Sequence, residues 1–153
     1  MASEPPKPPL PGAVLFACNF NRVRSPMAEA LLKRALGDRI YVDSCGLRPA
    51  TEEAGQGADP FVQSVMAEIS CDLADHSPKT FDDLEDGSFD LIISLTPEAQ
   101  HRAVELTRGR AAEIEYWPTF DPTLVEGSRE ARLAAYREVR DALAARISER
   151  FGR

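Results

Sequence analysis

The sequence predicts an α/β fold of three layers, a four-stranded parallel sheet with helices on both faces. Three observations predict it. Short runs of strand character, AVLFA (residues 13 to 17), IYVDSCG (40 to 46), FDLIISL (89 to 95) and AEIEYW (112 to 117), are separated by stretches with apolar residues at helical spacing. Two helix starts are marked by Ser25-Pro26 and Thr96-Pro97, an N-cap residue followed by proline at the first helical position. The 153 residues fall within the size of one domain, large enough to bury a single core, and contain no internal repeat.

Taken in order, residues 1 to 12, MASEPPKPPLPG, hold five prolines and no apolar run, and read as a flexible Pro-rich tail ahead of a domain at 13 to 153. The tail lacks the apolar core of a signal peptide, and no segment approaches the ~18 apolar residues of a membrane span. A cytoplasmic protein without a membrane partner is expected. AVLFA is continuous rather than alternating, as a strand covered on both faces should be. Ser25 then caps a helix with Met27, Leu31 and Ala35 on one face, which Gly37 ends.

The second strand leads into a polar loop at residues 47 to 57, and a helix resumes near Asp59. Phe61, Val62, Val65, Met66 and Ile69 form its apolar stripe, and it ends near Ser70. FDLIISL is the clearest buried strand, and a helix over roughly 97 to 107 follows it. AEIEYW alternates as an edge strand, Pro118 to Gly127 form a loop, and the longest helix runs from about 128 to 151. Its stripe is Leu133, Tyr136, Val139 or Arg140, Leu143, Ile147 and Phe151, and its arginines read as a solvated face with i,i+4 ion pairs.

A net charge of -7 argues against nucleic acid as a partner, because phosphate-neutralising proteins carry a basic stripe. The three cysteines, Cys18, Cys45 and Cys71, are odd in number and lack CxxC spacing, which speaks against a disulfide framework and a zinc site. Reduced thiols, no metal and no cofactor are expected. His76 and His101 belong to no ligand cluster.

The segment Cys18-Asn19-Phe20-Asn21-Arg22-Val23-Arg24-Ser25-Pro26 lies between a strand end and a helix start, where an open α/β sheet places its anion site. Loop amides and the positive end of the helix dipole converge there on a phosphate. The same field is expected to lower the pKa of a cysteine at that point and make Cys18 a nucleophile. Arg24, six residues on, returns around the loop with a planar fork for two oxyanion oxygens. A lone Cys-x5-Arg arises often by chance, but six residues after Cys45 and Cys71 stand Thr51 and Ser77, and neither opens a helix. The nucleotide-binding GxxxxGK[ST] and GxGxxG patterns are absent.

VLFACNFNRVRSPMAEALLKR resembles the N-terminal signature of the low-molecular-weight protein tyrosine phosphatases and the related thioredoxin-coupled arsenate reductases. VDSCGL, DLADHSPKTF, FDLIISL and the FDP loop extend the likeness over residues 13 to about 151. The resemblance implies a flavodoxin-like, phosphotyrosine phosphatase I-like sheet in strand order 2-1-3-4. It implies that Cys18 forms a phosphocysteine, Arg24 binds the oxyanion, Ser25 donates to the thiolate and Asn21 shapes the loop. Asn21 is expected at positive φ, which asparagine tolerates. Asp121 matches the family's general acid, although Asp-Pro is also a common turn dipeptide. His76 matches a histidine frequent in the family, either bonded to the loop or solvated. The implied phosphate-binding set is Asn19, Phe20, Asn21, Arg22, Val23, Arg24 and Ser25, with Cys18, Arg24 and Asp121 catalytic. The partner is a phosphorylated protein or small phosphomonoester, and the assembly a monomer or weak dimer.

The chain departs from that pattern at the rim. Phe20 stands where the phosphatases usually have glycine, Arg22 fills the next variable position, and Val23 replaces a second loop cysteine. Thr123 and Leu124 replace the tyrosines that usually follow Asp-Pro, and the stretch after Cys45 lacks a tryptophan, so Phe20 or Trp117 is left to form an aromatic wall. The C-terminal segment resembles the reductases more, yet residues 96 to 117 hold no resolving cysteine, and Cys45 and Cys71 read as buried small hydrophobes. A cysteine-dependent phosphatase is therefore the leading expectation, with an arsenate reductase of the same fold and a non-catalytic phosphate- or phosphoprotein-binding module as alternatives.

Overall fold

The computed structural model describes residues 9–51, 57–84 and 88–152. The tail assigned to residues 1 to 12 lies largely outside them, as does the middle of the 47 to 57 loop. Leu10, at the tail's end, packs against the core.

Strands β1 (Ala13–Cys18), β2 (Tyr41–Gly46), β3 (Leu91–Ser94) and β4 (Glu113–Tyr116) form one sheet in the order β2-β1-β3-β4. All three pairings are parallel, as the alternation with helices predicts. Helices α1 (Arg24–Leu36), α2 (Pro60–Ala67), α3 (Pro97–Leu106) and α4 (Arg129–Phe151) complete the layers. β1 feeds both cores by alternation: Val14, Phe16 and Cys18 face the α1, α2 and α4 side, and Leu15 and Ala17 face α3. That covering on both faces is why AVLFA is apolar throughout.

Helix starts follow local chemistry at three of four places. The side chains of Asp59, Thr96 and Ser128 accept from the N–H of Phe61, Ala99 and Ala131. The cap expected at Ser25 is absent. α1 begins at Arg24 after Val23, with no side-chain cap, and Ser25 lies inside its first turn with its hydroxyl turned back to the loop. The sequence pattern identified the turn correctly and misassigned the serine, because a buried sulfur and amide compete for its oxygen.

Two further expectations need correction. Ala35 is exposed, and the buried face of α1 consists of Met27, Ala28, Leu31, Leu32 and Leu36. Three arginines of α4 pair with carboxylates outside the helix, and among the described residues none of its arginines forms an i,i+4 pair. Arg137 and Arg140 both bind Glu68 just past α2, and Arg150 reaches Glu115 of β4. Arg140 is buried among these groups and also donates to the Val65 carbonyl, so Val139 and Arg140 are both part of the covered stripe. α2 ends at Ala67, followed by a turn in which Ser70 takes a positive φ.

Candidate active site

The loop from Cys18 to Arg24 joins the C-terminal end of β1 to α1, at the centre of the sheet. Its shape is fixed by one asparagine. Asn21 is fully buried with φ 59°, the left-handed region that asparagine enters at less cost than most residues. Its Nδ2 donates to Ser25 Oγ and Ser44 Oγ, each at 2.8 Å, and its Oδ1 accepts from the Lys79 N–H at 3.0 Å. His76 Nε2 lies 2.8 Å from the Asn21 carbonyl, so this histidine is bonded to the loop. Both amide protons and the amide oxygen of the Asn21 side chain are thus engaged, which rigidifies a buried polar network.

Gly46 at the end of β2 supports the loop from below. A Cβ there would lie 2.7 Å from the Phe20 carbonyl carbon and 2.8 Å from the Asn21 nitrogen. Only glycine allows that approach. Among the described residues, no backbone carbonyl takes the N–H of Phe20, Asn21, Arg22 or Val23. Those amides, the uncapped start of α1 and its dipole are available to an anion.

Cys18 is buried, and its Sγ lies 2.9 Å from Ser25 Oγ. Ser25 Oγ accepts from Asn21, and its proton has two acceptors in reach, the sulfur at 2.9 Å and the Cys45 carbonyl at 3.4 Å, of which the sulfur is the nearer. Cys18, Phe20, Arg22, Val23 and Arg24 line one cleft, which Asp121 and Thr123 close on the far side. Arg24 donates from Nη1 to the Thr119 carbonyl at 3.0 Å, and its Nη2 lies 3.9 Å from Asp121 Oδ2. Asp121 is a turn residue with one oxygen to spare. Its Oδ1 accepts from the Thr123 N–H and hydroxyl as a turn residue would, leaving Oδ2 on the cleft side.

Three of the implied phosphate-binding residues lie behind the cleft. Asn21 and Ser25 act as its scaffold, and Asn19 accepts from the Thr96 hydroxyl through its side chain while its carbonyl takes the N–H of Leu47 and Arg48. Trp117 does not supply the aromatic wall. It stacks obliquely near Phe16, 3% exposed, and only Phe20 is an aromatic of the cleft. Sequence reasoning missed Ser44, Lys79 and Thr96 as supports; a small polar residue in an apolar strand, as in VDSCG and LIISLT, is the available signal.

The remaining thiols are placed apart. Cys45 pairs in register with Ala17 and packs in the α3-side core, on the opposite sheet face from Cys18. Its burial, and secondly the nearness of Cys18, push its thiol up beyond the ordinary cysteine range. Cys71 lines a separate cleft beside Lys33 and His76. Among the described residues no three His, Cys, Asp or Glu side chains converge as metal ligands, and no helix is long and apolar enough to cross a membrane.

A family model described as low molecular weight phosphotyrosine protein phosphatase matches residues 13–149. An arsenate reductase of Halalkalibacterium halodurans is 31% identical over 134 residues, covering 88% of this chain and 91% of that one. A low molecular weight protein-tyrosine-phosphatase of Streptomyces coelicolor is 32% identical over 123 residues, covering 74% and 72%. Among solved structures, a tyrosine phosphatase of Erwinia amylovora superposes with a TM-score of 0.74 at 22% identity, covering 92% and 91%, a likeness of fold. An arsenate reductase in its phosphate-binding state gives 0.71 at 25% identity, covering 90% and 94%.

Proposed function

The chain belongs to the low molecular weight phosphotyrosine protein phosphatase family, and we propose that it hydrolyses a phosphomonoester through a phosphocysteine on Cys18. The phosphoryl oxygens take the free amides of residues 20 to 23 and the Arg24 guanidinium, which the Thr119 carbonyl holds in place. Cys18 attacks phosphorus in line as the thiolate; the S–P bond forms as the bond to the leaving oxygen breaks, and Asp121 gives that oxygen its proton. The Asp121 carboxylate then takes a proton from water. The resulting hydroxide equivalent attacks phosphorus, the S–P bond breaks, and the Ser25 hydroxyl donates to the departing sulfur as inorganic phosphate leaves.

One observation carries this: the Cys18 sulfur and the Asp121 carboxylate line the same cleft, with Arg24 between backbone anchor and acid. Pure anion binding has no use for the thiol or the carboxylate, which argues against a non-catalytic module. The test is the leaving group. Asp121→Ala should lower kcat/KM, which reports the cleavage step, by about 10²-fold or more on phosphotyrosine, whose oxygen needs a proton to leave, and much less on p-nitrophenyl phosphate. Equal loss of kcat/KM on both would remove Asp121 from the acid role.

The relatives named as arsenate reductases favour a second activity. It is weakly supported by this chain's thiols, because Cys18 and Cys45 face opposite sides of the sheet and Cys71 lines another cleft. Thioredoxin-coupled arsenate turnover is expected to be absent; turnover abolished by Cys45→Ser or Cys71→Ser would reverse that assignment. Three free thiols suit a reducing, cytoplasmic setting.

A further inference from the structure

Arg22 is the feature of the cleft that phosphoryl transfer leaves unused. Its Nε donates to the Gly57 carbonyl at 3.0 Å, which holds the guanidinium against the cleft wall, and its backbone carbonyl accepts from the Asp59 N–H. Among the described residues no carboxylate pairs with it, whereas Arg24 has the Thr119 carbonyl and Asp121. Asp59, on the same wall, is no competitor. Its Oδ1 accepts from the Phe61 N–H and its Oδ2 from the Tyr136 hydroxyl.

The cation does not stand alone. Phe61 stacks on Tyr136 with ring centroids 5.3 Å apart, and the guanidinium groups of Arg132 and Arg129 lie over the Phe61 ring at 4.5 and 5.5 Å. Neither arginine enters an ion pair among the described residues. A protein of net charge -7 thus presents, on the cleft wall and the helix beside it, three arginines that have no carboxylate partner among the described residues. Exposed apolar side chains belong to the cleft lining and its continuation: Phe20, 43% exposed, lines the cleft, and Leu124, 70% exposed, directly follows the lining residue Thr123.

We propose that Arg22, with Arg132 and Arg129 behind it, forms a second anion subsite that selects a phosphoprotein segment carrying an acidic side chain next to the phosphorylated residue. This rests on the phosphatase function of the cleft. The terminal nitrogens of Arg22 offer the planar fork that binds a carboxylate in two hydrogen bonds. The apolar ledge at the mouth gives a peptide, rather than a small bis-anion, further surface to cover. Phosphate binding at Cys18 and carboxylate binding at Arg22 are then separate demands on one substrate.

The test measures kcat/KM of the full chain on p-nitrophenyl phosphate, 4-carboxyphenyl phosphate, a phosphotyrosine peptide flanked by Asp and Glu, and the same peptide with Asn and Gln. The acidic peptide should be preferred over its neutral twin by about fivefold to twentyfold at low salt, with the preference shrinking as salt rises. Arg22→Gln should bring that ratio close to one, Arg22→Lys should keep part of it, and Arg132→Gln should lower it less than Arg22→Gln does. The ratio is the readout, so a general loss of activity in the Arg22 variants does not obscure it. A ratio near one in the unaltered chain, or a ratio that survives Arg22→Gln, overturns the proposal. Preference for 4-carboxyphenyl phosphate without preference for the acidic peptide overturns the peptide assignment. Failure of every substrate, p-nitrophenyl phosphate included, would instead strike the phosphatase function itself.

Discussion

Gly46 and Asn21 hold the loop in shape from opposite directions, one by lacking a side chain and one by bonding through both its amide nitrogen and its amide oxygen. A methyl at Gly46 meets backbone atoms of Phe20, Asn21 and Asn19 within 2.9 Å, and no rotamer relieves a clash with backbone. Gly46→Ala should cost about 1 to 3 kcal/mol of stability and, by moving the loop, about 10²-fold in kcat. At Asn21 the positive φ and the hydrogen bonds can be separated. Asn21→Gly keeps the backbone conformation and leaves Ser25, Ser44 and the Lys79 N–H without their partner; Asn21→Ala adds roughly 1 kcal/mol of left-handed strain to that loss. Both variants should lose kcat on p-nitrophenyl phosphate, with denaturant midpoints placing Ala below Gly. Equal midpoints would mean that φ 59° carries no cost here. The conformation of Asn21 was legible from its residue type in a tight loop. Gly46 was not, because the clash that requires it comes from a different strand connection.

Helices were legible from a stripe alone near Asp59 and from about 128, and from a cap alone at Thr96. They were misjudged where a polar side chain had a better partner elsewhere in the fold, as with Ser25 and Arg140. The pairing of α4 with the end of α2 makes a pH prediction at this scale. The hydrogen bond from Arg137, then that from Arg140, holds the Glu68 carboxyl down at about 2 from an ordinary 4.5. Because the folded value is the lower one, the unfolded chain binds more protons between the two. The contribution is therefore complete above 4.5 and disappears as pH falls through that window to about 2. Glu68→Gln should be less stable than the unaltered chain at neutral pH and converge with it in acid, as thermal melts would record. A gap independent of pH would assign Glu68 a packing role alone. Arg137 and Glu68 are partly exposed, so the gap is small and shrinks with salt.

At the scale of the molecule, the layers and parallel sheet followed from alternating apolar runs and helical stripes, while the order β2-β1-β3-β4 followed from family resemblance. The long-range supports of the loop were beyond sequence periodicity: His76 and Lys79 reach Asn21 across 55 and 58 residues. The sheet also segregates the thiols, with Cys18 on one face and Cys45 on the other. Cys45, whose thiol is pushed up by burial, should resist alkylation by iodoacetamide in the native protein and react on unfolding. Rapid native labelling of Cys45 would contradict the two-sided core. The most direct test of the central claim is intact and peptide mass analysis of acid-quenched Asp121→Ala during turnover of p-nitrophenyl phosphate. Nitrophenolate leaves without an acid, whereas attack of water on phosphocysteine needs the missing base, so a phosphoryl group should accumulate on Cys18 and be absent from Cys18→Ser. Turnover without any phosphoryl group on Cys18, or turnover that survives Cys18→Ser, would contradict it.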